Sequence, residues 1–227
     1  MSPSPVALPI TGPEAPPWRF ARFLRAYVGP ALLAVYRTRC SGAEHVPVTG
    51  GFILAGNHAS NLDPPLLWAA SPRGLHFLAK QELFDNPLLR WAYSRVWAIP
   101  IRRGAADRLA IGRATALLEA GDAVGIFPEG TRQLPDAPVD ESAEAHAGVA
   151  FIAMRAGVPV VPVGIAGTDR ALPKGALLPR FPRVTVCYGE PIRPEEFTEG
   201  GRKERMKAMT AEIMRRIAVA HASAEKE

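Results

Sequence analysis

An α/β fold, a single-domain mixed sheet flanked by helices, is what this 227-residue sequence predicts. Three observations carry the prediction. From residue 51 onward, short apolar strand-like runs alternate with helical stretches, the pattern of a sheet covered by helices on both faces. The length suits one α/β domain with a sizeable core and is short for two. The composition, 48% hydrophobic and 22% charged, is that of an ordinary globular chain and excludes wholesale disorder.

The elements follow in order. Residues 1–17, MSPSPVALPITGPEAPP, are proline-rich and lack a basic region followed by an apolar core, so they read as a flexible tail and not a signal peptide. Residues 18–39 place Phe20, Phe23, Leu24, Tyr27, Val28, Ala31, Leu32 and Val35 at helical spacing. Arg19, Arg22 and Arg25 are interspersed, and Gly29-Pro30 is the expected break or kink. Such a basic, aromatic segment can pack on the domain or lie in a lipid interface. We take it as an amphipathic membrane-interface segment preceding the main domain, 40–227, with Trp91 and Trp97 adding interfacial character. The uncharged stretch 26–36 is too short to span a bilayer, so the expected association is peripheral or monotopic.

Strands are expected at 51–56, 75–79, 98–102, 123–127, 159–166 and 184–188, and helices at 64–71, 86–96, 107–120, 147–156 and 201–222. Helix 107–120 carries start and stop signals in Asp107 and Gly121. The last helix is basic, with Met206, Met209, Ile213 and Ile217 on one side. The stretch 133–146, QLPDAPVDESAEAH, reads as a loop.

A net charge of +5 favours an anionic partner, a phosphorylated metabolite or an acidic lipid surface. Nucleic acid is disfavoured, because no zinc-finger spacing, RNP-like string or dense Lys/Arg stripe is present. The two cysteines, Cys40 and Cys187, suggest no disulfide framework and no metal-site spacing, which fits a reducing cytoplasmic setting. Cys187 lies in the alternating run RVTVCYG, where a buried thiol behaves as a small hydrophobe.

Four segments fall at the ends of expected strands, where α/β folds place their ligand crevices. The first, GNHASNLDPP, sets His58 five residues ahead of Asp63. The pair can be a base with its orienting acid. It can also be a structural histidine beside an N-cap aspartate, with Pro64 opening a helix. The others are AIPIRRG, ending in Arg102-Arg103-Gly104; GIFPEGTR, residues 125–132; and VPVVPVGIAGT, residues 158–168. Each alone has an ordinary reading: FPEG suits a type I turn, strand-end arginines are commonly solvated, and PVVPVGI is a buried or edge strand.

In this order they resemble the glycerophospholipid acyltransferase family, and within it the 1-acylglycerol-3-phosphate acyltransferases. NHASNLD looks like the family's NHxxxxD (HX4D) block, IPIRRG its strand ending in a phosphate-binding arginine, FPEGTR its third block and VPVVPVGI its fourth. GTDRALPKG and VTVCYGEPI look like the text that follows, so the resemblance runs over residues 45–192. It implies transfer of an acyl group from acyl-CoA or acyl carrier protein to the free hydroxyl of a lysophospholipid, 1-acyl-sn-glycerol-3-phosphate, at the cytoplasmic face of an anionic membrane. The product would be phosphatidic acid, in phospholipid biosynthesis.

Under that reading His58 is the base that takes the hydroxyl proton, and Asp63 accepts from its other ring nitrogen and supports the imidazolium. No protein nucleophile is required, and the chain has no G-x-S-x-G elbow. The thioester is already activated, so no metal or cofactor is expected. The implied substrate-binding set is Arg103, Glu129, Gly130, Thr131 and Arg132. The arginines offer planar forks for a phosphate, and Glu129 a partner for Arg132 or a glycerol hydroxyl. Backbone N–H groups near Gly130, or at the helix start after Asp63, would serve the oxyanion.

The sequence departs from the family pattern at Arg102, often acidic, and after FPEGTR, where 133–146 is long and acidic and His146 stands in place of a lysine. Three alternatives remain open: another lysophospholipid or glycolipid acceptor, a thioesterase, and a non-catalytic peripheral lipid-binding protein.

Overall fold

The computed structural model describes residues 18–81, 85–86, 98–101, 108–129, 143–171 and 180–227. The order of elements is α1 (Trp18–Val35), β1 (Arg39–Ser41), β2 (Phe52–Gly56), α2 (Asp63–Ala70), β3 (Leu75–Lys80), β4 (Ala98–Ile101), α3 (Arg108–Glu119), β5 (Ala123–Ile126), α4 (Ala143–Ala156), β6 (Val160–Ala166), the short α5 (Thr168–Ala171), β7 (Thr185–Tyr188) and α6 (Arg202–Lys226). The strands form one mixed sheet in the order β1-β7-β6-β2-β5-β3-β4. β6, β2, β5, β3 and β4 are parallel, while β7 runs antiparallel to β6 and parallel to β1. The five parallel strands therefore end at one edge of the sheet, where residues 57–63 and 127–129 leave β2 and β5.

Because β2 and β6 are buried along their whole length, they read as continuous apolar runs. Side chains alternate between two cores. One face, with Ile53, Val124 and Val160, packs on α3, α4 and α6 through Leu117, Val149, Met209 and Ile213. The other, with Phe52, Leu54, Val161 and Ile165, packs on α2 through Leu66 and Leu67, with Leu24, Leu32 and Leu33 of α1 alongside. Glycine admits two close approaches. A Cβ on Gly164 would lie 2.1 Å from the Ala220 carbonyl carbon, so α6 can cross β6 only over glycine. A Cβ on Gly125 would lie 2.3 Å from the Phe77 ring, which rests on β5 at that point.

Several boundaries differ from the sequence reading, for identifiable reasons. Helix α1 runs unbroken through Gly29-Pro30. Pro30 removes the hydrogen bond to the Ala26 carbonyl, but Ala26 is exposed and water can satisfy it. The helix stops at Val35, short of residue 39, and Arg39 already belongs to β1. It ends in a Schellman arrangement: the Arg37 amide donates to Ala34 at 3.0 Å and the Thr38 amide to Leu33 at 2.8 Å. Arg37 holds the left-handed position, φ 46°, usually given to glycine. The strain costs about 1–2 kcal/mol for a residue with a Cβ. At the end of α3, Gly121 takes the same position at φ 90°, as its sequence context indicates. α4 begins at Ala143, so residues 143–146 are helical and not part of the expected loop. The expected helix 86–96, Trp91 and Trp97, and the rest of loop 133–146 lie outside the described residues.

Candidate active site

β2 ends at Gly56, and the next residue extends its pairing with a side chain in place of backbone. Asn57 donates from Nδ2 to the Ile165 carbonyl at 2.9 Å and accepts at Oδ1 from the Ile165 N–H at 2.8 Å. β2 and β6 are thus held together one step beyond the last backbone pair, Gly56 with Val163. The main chain is released to leave the sheet, and His58 stands above its edge. The NHxxxxD resemblance assigns Asn57 no role. Its partner is 108 residues away, and no local signal in the sequence indicates it.

Asp63 is the first residue of α2, and Leu62 occupies the cap position. The N-cap reading of Asp63 is therefore corrected: its carboxylate turns back over the loop. Oδ2 accepts from the Ala59 and Ser60 amides, both at 2.7 Å, and from His58 Nδ1 at 2.9 Å. The Asp63 side chain is wholly buried, and three donors on one oxygen provide the compensation that a buried carboxylate needs. An eight-residue helix has little stability of its own, so α2 is fixed by burial of Leu66 and Leu67, at about 1.5–3 kcal/mol each. That packing fixes the carboxylate.

The tautomer of His58 follows from this geometry. A carboxylate only accepts, so Nδ1 carries the proton and Nε2 the lone pair. The ring also stacks on Phe127, centroids 4.5 Å apart, and Phe127 stacks on Phe77 at 5.9 Å. The line of rings runs from the Gly125 notch in β5 to the His58 imidazole. Ser60, the hydroxyl in this loop, is buried, and its oxygen receives the Leu62 amide at 3.4 Å.

Glu129, after β5, accepts the His58 backbone N–H at Oε2, 3.1 Å away. Burial pushes its carboxyl pKa up, and the hydrogen bond from His58 partly opposes this. The structure thus brings His58, Asp63 and Glu129 together. Arg103, Gly130, Thr131 and Arg132 lie outside the described residues, as does any contact between Glu129 and Arg132. The oxyanion role expected of the helix start after Asp63 does not hold. Residues 64 and 65 are prolines, the Asp63 amide donates to Ser60, and the Leu66 amide donates to Leu62. No amide is left there for a substrate oxygen.

Glu129 gives a direct test. Glu129→Gln keeps an acceptor for the His58 amide and removes a charge that burial disfavours. A carboxyl whose folded pKa is raised stabilises the fold below its unfolded pKa and loses that contribution as pH rises through the folded value. The glutamine variant should therefore melt higher than wild type at neutral pH, with the difference vanishing in acid. Glu129→Ala leaves the His58 amide unpaired and should melt lower, with kcat reduced roughly tenfold or more as His58 loses its seat. Thermal melts at two pH values, with turnover, check both.

A histidine held by a buried carboxylate at the strand-end edge of a parallel sheet has the geometry that general-base chemistry requires. The chain belongs to the acyltransferase family, whose profile, described as Acyltransferase, matches residues 37–166. It is 31% identical over 175 residues to the 1-acyl-sn-glycerol-3-phosphate acyltransferase of Bacillus subtilis, covering 77% of this chain and 83% of that protein. It is 40% identical over 111 residues to the lyso-ornithine lipid O-acyltransferase of Pseudomonas aeruginosa, covering 48% of this chain and 40% of that one. The crystal structure of the 1-acyl-sn-glycerophosphate acyltransferase of Thermotoga maritima superposes with a TM-score of 0.65 at 28% identity, covering 89% of this chain and 83% of that one.

Proposed function

We propose that this acyltransferase acylates 1-acyl-sn-glycerol-3-phosphate at its free hydroxyl, using acyl-CoA or acyl carrier protein as donor and forming phosphatidic acid. The observation that carries the reading is the 2.9 Å bond from His58 to the buried Asp63, which leaves Nε2 basic. Nε2 takes the hydroxyl proton as the oxygen attacks the thioester carbon. The tetrahedral intermediate collapses by breaking the C–S bond, and the imidazolium returns the proton to the leaving thiolate. Asp63 stabilises the imidazolium between these steps. The activities of the Bacillus and Thermotoga relatives, both 1-acylglycerol-3-phosphate acyltransferases, support this acceptor.

Arg103 and Arg132 are the residues proposed to hold the acceptor phosphate. Arg132→Ala should lower kcat/KM for lysophosphatidic acid by roughly one to two orders of magnitude, the worth of a charge-assisted bond. Arg103→Lys should also be damaging, since a point charge does not reproduce a bidentate fork. Monoacylglycerol, which has the hydroxyl without the phosphate, is the control. Equal losses on both acceptors would make the arginines structural. A second acceptor class, a lyso-ornithine lipid, is favoured by the Pseudomonas relative. Purified protein with labelled acyl-CoA and acyl carrier protein against a panel of lysolipids, read by product chromatography, decides acceptor and donor. Free fatty acid released without any acceptor would point instead to a thioesterase, and no turnover at all to a lipid-binding protein.

The proposal includes a membrane surface. Among the described residues no helix is long and apolar enough to cross a bilayer. Helix α1 is nonetheless apolar on two sides. Leu24, Leu32 and Leu33 face the core, Arg25 donates to the Ser71 carbonyl at the end of α2, and Gly29 lies against Ala69. On the other side Phe23, Tyr27, Val28 and Val35 are about half exposed or more, from 49% to 67%. Core packing does not account for that second stripe, whereas an interfacial position at the cytoplasmic face of a membrane does.

A further inference from the structure

The outward stripe of α1 does not stop at the helix end. Val35 leads to Tyr36, whose ring meets that of Phe181 at 5.7 Å, and Phe181 is itself 55% exposed. Three backbone connections and one side-chain bond gather the chain around this point. The Val184 amide donates to the Tyr36 carbonyl and the Arg39 amide to Val184, 3.1 and 3.0 Å respectively. The Arg180 amide donates to Ala171 at 2.7 Å, and the Arg37 guanidinium to the Phe181 carbonyl at 2.8 Å. Residues 36–40, 167–171 and 180–185 are thereby joined, and they contain five arginines and one acid, Asp169.

The arginines are Arg37, Arg39, Arg170, Arg180 and Arg183, all exposed. Among the described residues none of them forms an ion pair. Like charges gathered without partners repel, so their assembly is a cost that folding alone does not explain. Arg37 adds to it, because it holds a left-handed position at φ 46° that glycine would fill without strain. The cluster stands at the same sheet edge as the base. β6 is tied to Asn57 through Ile165 and ends one residue later at Ala166, which pairs with Thr185, and Thr185 pairs with Arg39.

We infer that this arginine edge, with Phe181 at its centre, is a docking surface for an anionic bilayer, reading lipid phosphates while the α1 stripe enters the apolar boundary. This rests on the interfacial reading of α1 given above and adds to it a charge-selective contact outside the helix. Exposed apolar side chains among the arginines favour a lipid surface over an acidic protein, which would meet the charges and leave Phe181 and Val35 uncovered. Docked this way, the edge that carries His58 lies against the headgroups, where a lipid acceptor is delivered by lateral diffusion.

The test is co-sedimentation of the full chain with phosphatidylcholine vesicles and with the same vesicles doped with phosphatidylglycerol. The triple variant Arg170→Gln, Arg180→Gln, Arg183→Gln should lose most of the increment due to phosphatidylglycerol, roughly a hundredfold in partition at about a factor of five per arginine near such a surface. It should keep its binding to phosphatidylcholine and its far-ultraviolet spectrum. The matching arginine-to-lysine triple should recover most of the increment, separating charge from folding. The variant Phe23→Ser, Tyr27→Ser tests α1 separately and should weaken binding to both kinds of vesicle. If it binds both as wild type does while the glutamine triple loses the increment, the α1 reading fails and the arginine edge stands. If the glutamine triple keeps the full increment, the edge is not a lipid surface and the inference is overturned. If that same variant then turns over acyl carrier protein thioester poorly and acyl-CoA normally, the edge docks an acidic protein instead.

Discussion

His58→Ala should abolish acyl transfer while leaving the fold intact. The side chain is 14% exposed, and among the described residues it meets Asp63 on one nitrogen and the face of Phe127. Its removal leaves Asp63 Oδ2 still receiving the Ala59 and Ser60 amides, so the buried carboxylate keeps two of its donors and the loop its shape. The proton acceptor is lost, and general-base catalysis is worth a factor of about 10²–10⁴. The loss should fall on kcat, because the base acts as the hydroxyl attacks and contributes little to holding either substrate. Steady-state kinetics beside a thermal melt and a circular dichroism spectrum measure both parts. Wild-type-like turnover by well-folded His58→Ala protein would sink the mechanism.

What was legible in the sequence follows from where the information sits along the chain. Parallel, doubly buried strands such as Phe52–Gly56 and Val160–Ala166 appear as unbroken apolar runs, so the sheet could be read. His58 and Asp63 are five residues apart in one loop, and FPEG follows the next strand in the sheet, so the site's chemical groups could be read as well. β1 could not. Its three residues, Arg39, Cys40 and Ser41, carry no apolar alternation, and it joins the sheet only through β7, far along the chain. Asn57 and Glu129 show the same limit within the site. Each works through a backbone group supplied by another strand end, 108 and 71 residues away, and a residue's long-range partner leaves no periodicity to detect. Helix α1 is the instructive middle case. Its apolar spacing was plain, but with Leu24 facing inward and Phe23 outward, spacing alone could not say which stripe met the core.

Asp63→Asn should be severe and yet milder than His58→Ala, and the hydrogen bonds explain the ranking. All three donors converge on Oδ2, while Oδ1 is buried and has no partner among the described residues. An asparagine can seat its carbonyl oxygen where Oδ2 was and still accept from Ala59, Ser60 and His58 Nδ1. The tautomer with a basic Nε2 then survives, and so does the loop. Two things are lost. The amide NH₂ enters the buried seat of Oδ1 with no acceptor, costing about 1–3 kcal/mol of stability. The negative charge that supports the imidazolium is also gone, and with it the part of the rate that depends on stabilising that cation. Turnover should fall by roughly ten- to a thousandfold, within the range assigned to positioned proton transfer. The opposite amide orientation would place NH₂ against three donors, which is repulsive, so the outcome should be one population and not a mixture. Asp63→Ala removes the acceptor altogether, leaves the amides of Ala59 and Ser60 unpaired, and should lose both fold stability and activity. The ordering wild type, Asp63→Asn, then Asp63→Ala in melting temperature, with His58→Ala near wild type in melting and lowest in turnover, is the expected result. An Asp63→Asn protein as inactive as His58→Ala but with unchanged melting temperature would mean that the carboxylate's charge, and not its hold on the ring, carries the site.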